Sequence, residues 1–191
     1  MILILKRIIF KKDLSIFPQT IKTPRLVLRV VLPTKENAIK LFNIIEQNRD
    51  YFMDWQGHFG ELKTIDDVVA YLTKRANQIK DNQGMCFYIY HNDNIIGRIR
   101  FFNIQDDGCE IGYWLIKSAN GNGFMSEALQ ALEIELFKFG FSKITLDIDN
   151  GNTHSENLAK RNGYKLEKVL PMASWAKCIG KCDSLIYVKE R

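Results

Sequence analysis

"SANGNGFMSEALQALEIELFKFG", residues 118–140, places Gly121 and Gly123 immediately ahead of a long amphipathic run. The start of a helix carries unpaired backbone N–H groups and a partial positive charge, so it attracts phosphate oxygens. Glycine lets the backbone approach such a group without a Cβ in the way. The segment Asn120, Gly121, Asn122, Gly123, Phe124, Met125, Ser126 therefore reads as a pyrophosphate cradle. A turn that needs φ > 0 is the alternative, and the loop alone leaves both open.

A dinucleotide fingerprint is the nearest rival. Gly121-x-Gly123-x-x-Ser126 nearly fits it, and Asp147 lies about twenty residues downstream, where a ribose-binding acid belongs. However, Lys117 to Asn120 separate the preceding strand from the first glycine, where that motif turns almost at once. Only about forty residues follow Asp147, too few for the rest of a six-stranded doubly wound sheet. A P-loop fails because no Gly-Lys-Ser/Thr follows the glycines.

The periodicity on either side sets the fold class. "RLVLRVV" (25–31) alternates as a half-buried strand. Pro33 and Thr34 open a helix with the stripe Ala38, Leu41, Phe42, Ile45. A second helix begins at Thr64, with Asp67 as a partial capping-box signal and a face of Ile65, Val68, Val69, Leu72, Ala76 and Ile79. Between them, "NRDYFMDWQGHFG" (48–60) reads as irregular and aromatic. "MCFYIYH", "IIGRIRFFN" and "CEIGYWLI" form an antiparallel meander. The quoted helix follows, with Met125, Ala128, Leu129, Leu132, Leu136 and Phe139 on one face and Gly140 as its C-terminal stop. "KITLDID" (143–149) is a strand, and Thr153 with Glu156 reads as a capping box for a short helix ending before Gly163. Strands around "YKLEKV" and "SLIYVK" finish the chain. The order β-α-α-β-β-β-α-β-α-β-β gives an α/β fold. Its sheet is mixed and mostly antiparallel, with helices on both faces and a parallel crossover over 109–149.

Composition narrows the function classes. The 191 residues are 46% hydrophobic and 26% charged, which suits one globular domain with a real core. A formal charge of +5 favours an acidic ligand, yet no dense Lys/Arg run marks a nucleic-acid stripe, so no direct nucleic-acid readout is expected. Cys178 and Cys182 have no His nearby, so no metal site is expected, and reduced thiols fit a cytoplasmic protein. "MILILKRIIFKK" (1–12) is far shorter than the ~20 residues of a membrane helix. Its charges also follow the apolar part, whereas a signal peptide carries them first. Residues 1–22 are read as an extension, a strand or a loose tail, ahead of a domain over 23–191.

Four segments, in order, carry a resemblance. They are "TPRLVLR" (23–29), "NRDYFMDW" (48–55), "CEIGYWLI" with "NGNGFMSEAL", and "NTHSENLAKRNGY" (152–164). Together the chain resembles the GNAT-fold N-acetyltransferases, specifically those of the RimJ/RimL type that act on ribosomal proteins. The resemblance implies acetyl-CoA as co-substrate. It also implies an amine acceptor, a protein N-terminus such as that of a ribosomal protein, or a small amine such as a polyamine or an aminoglycoside. A non-catalytic acyl-CoA sensor on the same fold is the alternative from another class. The oligomeric state, monomer or dimer, is left open.

The resemblance also assigns roles. The family loop runs Gln/Arg-x-x-Gly-x-Gly/Ala, and here it is Asn120-x-x-Gly123-x-Met125. Asn120 has the shorter reach, so the cradle falls to the backbone, where Met125 still supplies an N–H. Backbone near Tyr113, Trp114 and Leu115 would bond the pantetheine arm. Asn152 would hold that arm, and the Ser155 hydroxyl would lie near the sulfur. Glu110 occupies the position where many such enzymes carry a glutamate, and period-2 alternation puts it on one face with Gly112 and Trp114. Acetyl transfer to an amine needs a neutral nucleophile, a polarised carbonyl and a thiolate that can leave. Glu110 is the candidate base and Ser155 the candidate acid. Each has a structural alternative: a surface ion pair for Glu110, and a helix-start role for Ser155 and Asn152.

Overall fold

The computed structural model describes residues 12–191, without the side chain of His58. The reading of residues 1–11 as strand or tail lies outside the described residues. Eight strands form one sheet: β1 (Thr20–Lys22), β2 (Val27–Val30), β3 (Gly84–His91), β4 (Asn94–Gln105), β5 (Gly108–Leu115), β6 (Lys143–Asp149), β7 (Lys165–Ala176) and β8 (Gly180–Glu190). Five helices accompany it: α1 (Lys35–Gln47), α2 (Arg49–Met53), α3 (Ile65–Lys80), α4 (Phe124–Lys138) and α5 (Thr153–Arg161). The strand order is β1-β2-β3-β4-β5-β6-β8-β7. Every neighbouring pair is antiparallel except β5 and β6, which run parallel on either side of the α4 crossover.

The alternation along β3 to β5 divides the core. Met85, Phe87, Ile89, Ile99, Phe101 and Ile111 face α4 and pack with Ala128, Leu129, Leu132 and Leu136. Cys86, Tyr88 and Trp114 face the other way, toward Leu41 and Ile45 of α1, Phe52 of α2 and Leu72 of α3. Helices therefore cover both faces. Truncating one of the fully buried leucines of α4 to Ala would cost about 2–5 kcal/mol. Leu14 and Phe17 are also buried in the α4-side core, and β1 pairs with β2, so the chain before Thr23 contributes an edge strand and core side chains.

Three local readings change. The segment 48–60 is not irregular, since it forms α2 and a 3-10 turn, Gly57–Glu61, around the ring cluster Phe52, Phe59 and Trp114. Thr64 and Asp67 complete a full capping box, each side chain accepting the other's backbone N–H. Thr153 and Glu156 do not form one. Asn152 is the N-cap of α5, accepting from the Ser155 N–H at 3.2 Å, because helical φ/ψ begins one residue earlier than expected.

Candidate active site

The parallel ladder is short. Gly108, Cys109 and Glu110 pair with Lys143, Ile144 and Thr145, and beyond them β5 and β6 part. From Ile111 to Leu115, β5 keeps only its β4 neighbour, so the backbone groups on its other edge are left for a ligand. A cavity of about 390 Å³ occupies this splay, within the range of small-molecule sites. Its walls are Tyr113, Trp114 and Leu115 of β5, the loop and first turn at Ala119–Met125, the start of α5, and Tyr51, Phe52, Trp55 and Gln56. It thus reaches from the α4/α5 side of the sheet to the α2 side.

The start of α4 closes one end. Gly123 is its N-cap, in left-handed conformation with φ 75°, and no side chain caps the helix. Gly121 has φ 79°. Neither glycine is forced by crowding: a Cβ at Gly121 would meet nothing within 4 Å, and one at Gly123 only Arg25 at 3.6 Å. The turn reading holds, since positive φ requires the glycines, and the uncapped helix start lines the cavity with its first N–H groups unpaired by a side chain.

The loop is braced from the connection between β1 and β2. The Arg25 guanidinium donates to Glu127 Oε2 at 2.6 Å and to the Asn122 carbonyl at 3.0 Å, and it lies over the Phe124 ring. Thr23 Oγ1 donates to Glu127 Oε1 at 2.6 Å, as does the Arg25 N–H at 3.0 Å. Burial opposes the Glu127 charge, but the Thr23 and Arg25 donors outweigh it and hold the carboxyl below its ordinary value. "TPRLVLR" is thus more than a strand, since its Thr23 and Arg25 hold the glycine loop.

The predicted site residues separate into groups. Tyr113, Trp114, Leu115, Asn120, Gly121, Gly123, Phe124, Met125, Asn152 and Ser155 share the cavity wall. Three lie off it. Asn122 folds back onto the Ala119 and Asn120 carbonyls, and Ser126 Oγ accepts from Arg161 Nε at 3.0 Å. Glu110 is the third, at the apex of the splay. The Asn120 side chain reaches Tyr51 Oη at 2.9 Å, tying the loop to α2. The Asp147 that suggested a ribose ligand instead accepts from Ser184 Oγ of β8, on the sheet face opposite α4.

Glu110 is half-buried, and Asn103 Nδ2 donates to its Oε2 at 2.8 Å. Among the described residues it forms no ion pair. Burial raises its carboxyl above the ordinary value, Asn103 and the Arg100 charge oppose the rise, and the Asp147 charge adds to it. At α5, the Ser155 N–H takes part in the cap while the Ser155 residue lines the cavity. Beside it the Tyr113 phenol is buried without a fully formed hydrogen bond and is pushed up to about 12, chiefly by burial, with Ser155 and Arg161 pulling the other way. Sequence reasoning passed over Arg25, Tyr51, Trp55, His154 and Arg161. The aromatic density of 48–60 was the available signal for Tyr51 and Trp55.

An uncapped helix start beside a splayed parallel pair defines an acyltransferase-like α/β site. Residues 25–165 match the model of the acetyltransferase (GNAT) domain, and the chain belongs to that family, whose members take acetyl-CoA as donor. The ribosomal-protein-serine acetyltransferase of Escherichia coli (strain K12) is 37% identical over 146 residues, covering 73% of this chain and 80% of the relative. Among solved structures, RimL, a ribosomal L7/L12 α-N-protein acetyltransferase in complex with coenzyme A, superposes with a TM-score of 0.83 at 20% identity. That match covers 90% of this chain and 97% of RimL. The microcin C7 self-immunity acetyltransferase MccE, in complex with acetyl-CoA and AMP, gives a TM-score of 0.80 at 27% identity, covering 94% of this chain and all of that one.

Proposed function

We propose that this acetyltransferase moves an acetyl group from acetyl-CoA to the α-amine of a protein N-terminus, such as that of a ribosomal protein. The observation that carries the reading is the splay. The cavity in it is bounded by a phosphate-suited helix start, the ladder ends at Glu110 on the same strand as Tyr113–Leu115 of its wall, and the curated relative at 37% identity is a ribosomal-protein-serine acetyltransferase. The fit to the donor rests on the uncapped start of α4, on the unpaired edge of β5 for a pantetheine arm, and on Asn152 and Ser155.

The chemistry follows from these groups. An α-amine has a pKa near 7.7 to 8.0, so a weak base suffices to deliver it neutral at pH 7. Glu110 takes the proton from the incoming ammonium, directly or through water, and its raised carboxyl makes it a better base than an exposed glutamate. The amine nitrogen bonds to the acyl carbon, the carbon–sulfur bond breaks, and a backbone N–H near Tyr113–Leu115 carries the charge that develops on oxygen. Ser155 Oγ supplies the proton or hydrogen bond to the departing sulfur. The reading implies a cytoplasmic enzyme.

The test is thiol release from acetyl-CoA with purified protein against N-terminal peptides, polyamines and aminoglycosides. Peptide turnover is expected. Turnover of polyamines or aminoglycosides alone would move the chain to the small-amine class, and tight acetyl-CoA binding without turnover of any amine would make it a sensor.

A further inference from the structure

Three rows of residues cross β3, β4 and β5 on the face away from α4: Tyr88–Arg98–Trp114, Cys86–Arg100–Gly112, and Gly84–Phe102–Glu110. The first two rows each carry an arginine. A third, Arg75, comes down from α3 and lies over the Tyr71 ring. The three form one like-charged group: Arg98 and Arg75 both act on Arg100, which burial and these neighbours bring down to about 10.

Among the described residues none of the three arginines forms an ion pair, and Glu110 acts on Arg100 through its charge alone. Arg98 is only 3% exposed, and its charge rests on the Tyr71 hydroxyl and on the faces of Phe59 and Trp114. The Nε atoms of Arg75, Arg98 and Arg100 make no hydrogen bond with a described residue, and neither do Tyr88 Oη and Trp114 Nε1 in the same row. A buried guanidinium without a carboxylate is costly to fold. Donors that remain unused after folding mark a place where an acceptor of hydrogen bonds fits.

Beside Arg100 the neighbouring strand carries no side chain. Gly112, between Arg100 and Glu110 on this face, has no Cβ; one placed there would come within 3.3 Å of Phe102 and 3.5 Å of Arg100 Nε. The Arg100 guanidinium carbon lies 3.8 Å from the centre of the Phe102 ring, the residue is partly exposed, and its terminal nitrogens make no hydrogen bond to a described residue. Glu110, the proposed base, stands one row away, about 7 Å along the strand.

We propose that the Arg75–Arg98–Arg100 cluster is an acceptor subsite for a carboxylate. It selects amines that carry an acidic group one or two residues beyond the α-amine. One residue of extended chain spans about 3.5 Å, so an amine at Glu110 places an acidic side chain from its second or third residue over Arg100. Guanidinium–carboxylate pairs are the strong, directional kind, and here the pair would form in a partly desolvated setting. The inference rests on the N-terminal acetyltransferase reading.

The experiment is calorimetry on the protein loaded with coenzyme A, using the peptides Ser-Glu-Glu-Tyr amide and Ser-Gln-Gln-Tyr amide, which differ only in side-chain charge. The acidic peptide is expected to bind about 10-fold tighter, as a charge-assisted hydrogen bond at a half-buried site allows. The difference should vanish in Arg100→Gln and persist in part in Arg100→Lys, with thermal unfolding confirming that both variants fold. Equal affinities in the unmodified protein overturn the subsite, whether or not either peptide is acetylated. A binding difference that persists in Arg100→Gln also overturns it. A difference that follows Arg100, together with no acetyl transfer to either peptide, leaves the subsite standing and removes the enzymatic reading instead.

Discussion

Arg25 Nε lies 2.6 Å from Glu127 Oε2, joining residues 102 apart in the chain. Through this pair and the Thr23 hydroxyl, the connection between β1 and β2 holds the first turn of α4, and with it the glycine loop. The pair is partly exposed, so its direct effect on stability is modest. Its effect on the loop should be larger than its effect on the fold.

Glu127→Gln should therefore weaken acetyl-CoA binding about 3- to 10-fold while shifting the unfolding temperature little. The sign of its pH dependence follows from the depressed carboxyl. Its stabilisation is present above the unfolded value near 4.5 and is lost as pH falls through the lower folded value. Acid unfolding of the two proteins should differ near pH 5 and converge toward pH 2. Unchanged acetyl-CoA affinity in the folded variant would show that the loop holds its shape without this clamp.

At Gly123 the φ of 75° strains any side chain, so a single substitution cannot separate strain from charge. Asn and Asp are nearly the same size, and both tolerate the left-handed region better than most residues. Gly123→Asp should lose at least about 10-fold more acetyl-CoA affinity than Gly123→Asn, because only Asp adds a charge like that of the pyrophosphate. Equal losses measured by calorimetry would remove the cradle.

Ser155 and Asn152 can now be separated. The cap of α5 is made by the Asn152 side chain and the Ser155 N–H, so Asn152→Ala should cost about 1 kcal/mol of stability. Ser155→Ala leaves the cap in place. It should lower kcat by ~10²-fold with little change in acetyl-CoA affinity or unfolding temperature. A Ser155→Ala protein that keeps kcat but binds the donor poorly would make the hydroxyl a ligand of the pantetheine arm.

Glu110 gives opposite signs for mechanism and stability. Its carboxyl is raised by burial, so the folded protein holds the proton more tightly than the unfolded chain does. Stability is therefore lost as pH rises from about 4.5 through the folded value. Glu110→Gln removes a half-buried charge and keeps a partner for Asn103, so the unfolding temperature at pH 7 should not fall. The kcat should fall, with partial recovery at higher pH as solution supplies neutral amine. Superimposable kcat–pH profiles for the two proteins would take Glu110 out of the reaction.

Much of the fold was legible because its signals are local. Period-2 alternation marked "KITLDID", whose limits match β6, and the 3.6-residue stripe of α4 matched its buried face. Helix caps depend on one or two residues of φ/ψ, and there the reading slipped: Asn152 and not Thr153 caps α5, because either residue type can serve and only the backbone decides. The short α2 was missed because five residues carry less than two turns of periodicity, and its aromatics are ordered by Phe59 and Trp114 from elsewhere in the chain.

The sequence by itself determined the order of the longer elements, the parallel crossover and the glycines ahead of α4, since each rests on residues close together in the chain. Only the tertiary structure decided how that crossover opens. The ladder stops at Glu110 and Thr145 because β6 turns to its antiparallel partner β8 while β5 stays with β4. The clamp on Glu127 and the unpaired arginines on β4 depend in the same way on contacts across distant segments. Such contacts leave no periodicity to read. The strand motif at 23–29 and the arginines of "IIGRIRFFN" look like ordinary alternating strand until the sheet sets Arg25 against α4 and Arg100 one row from Glu110.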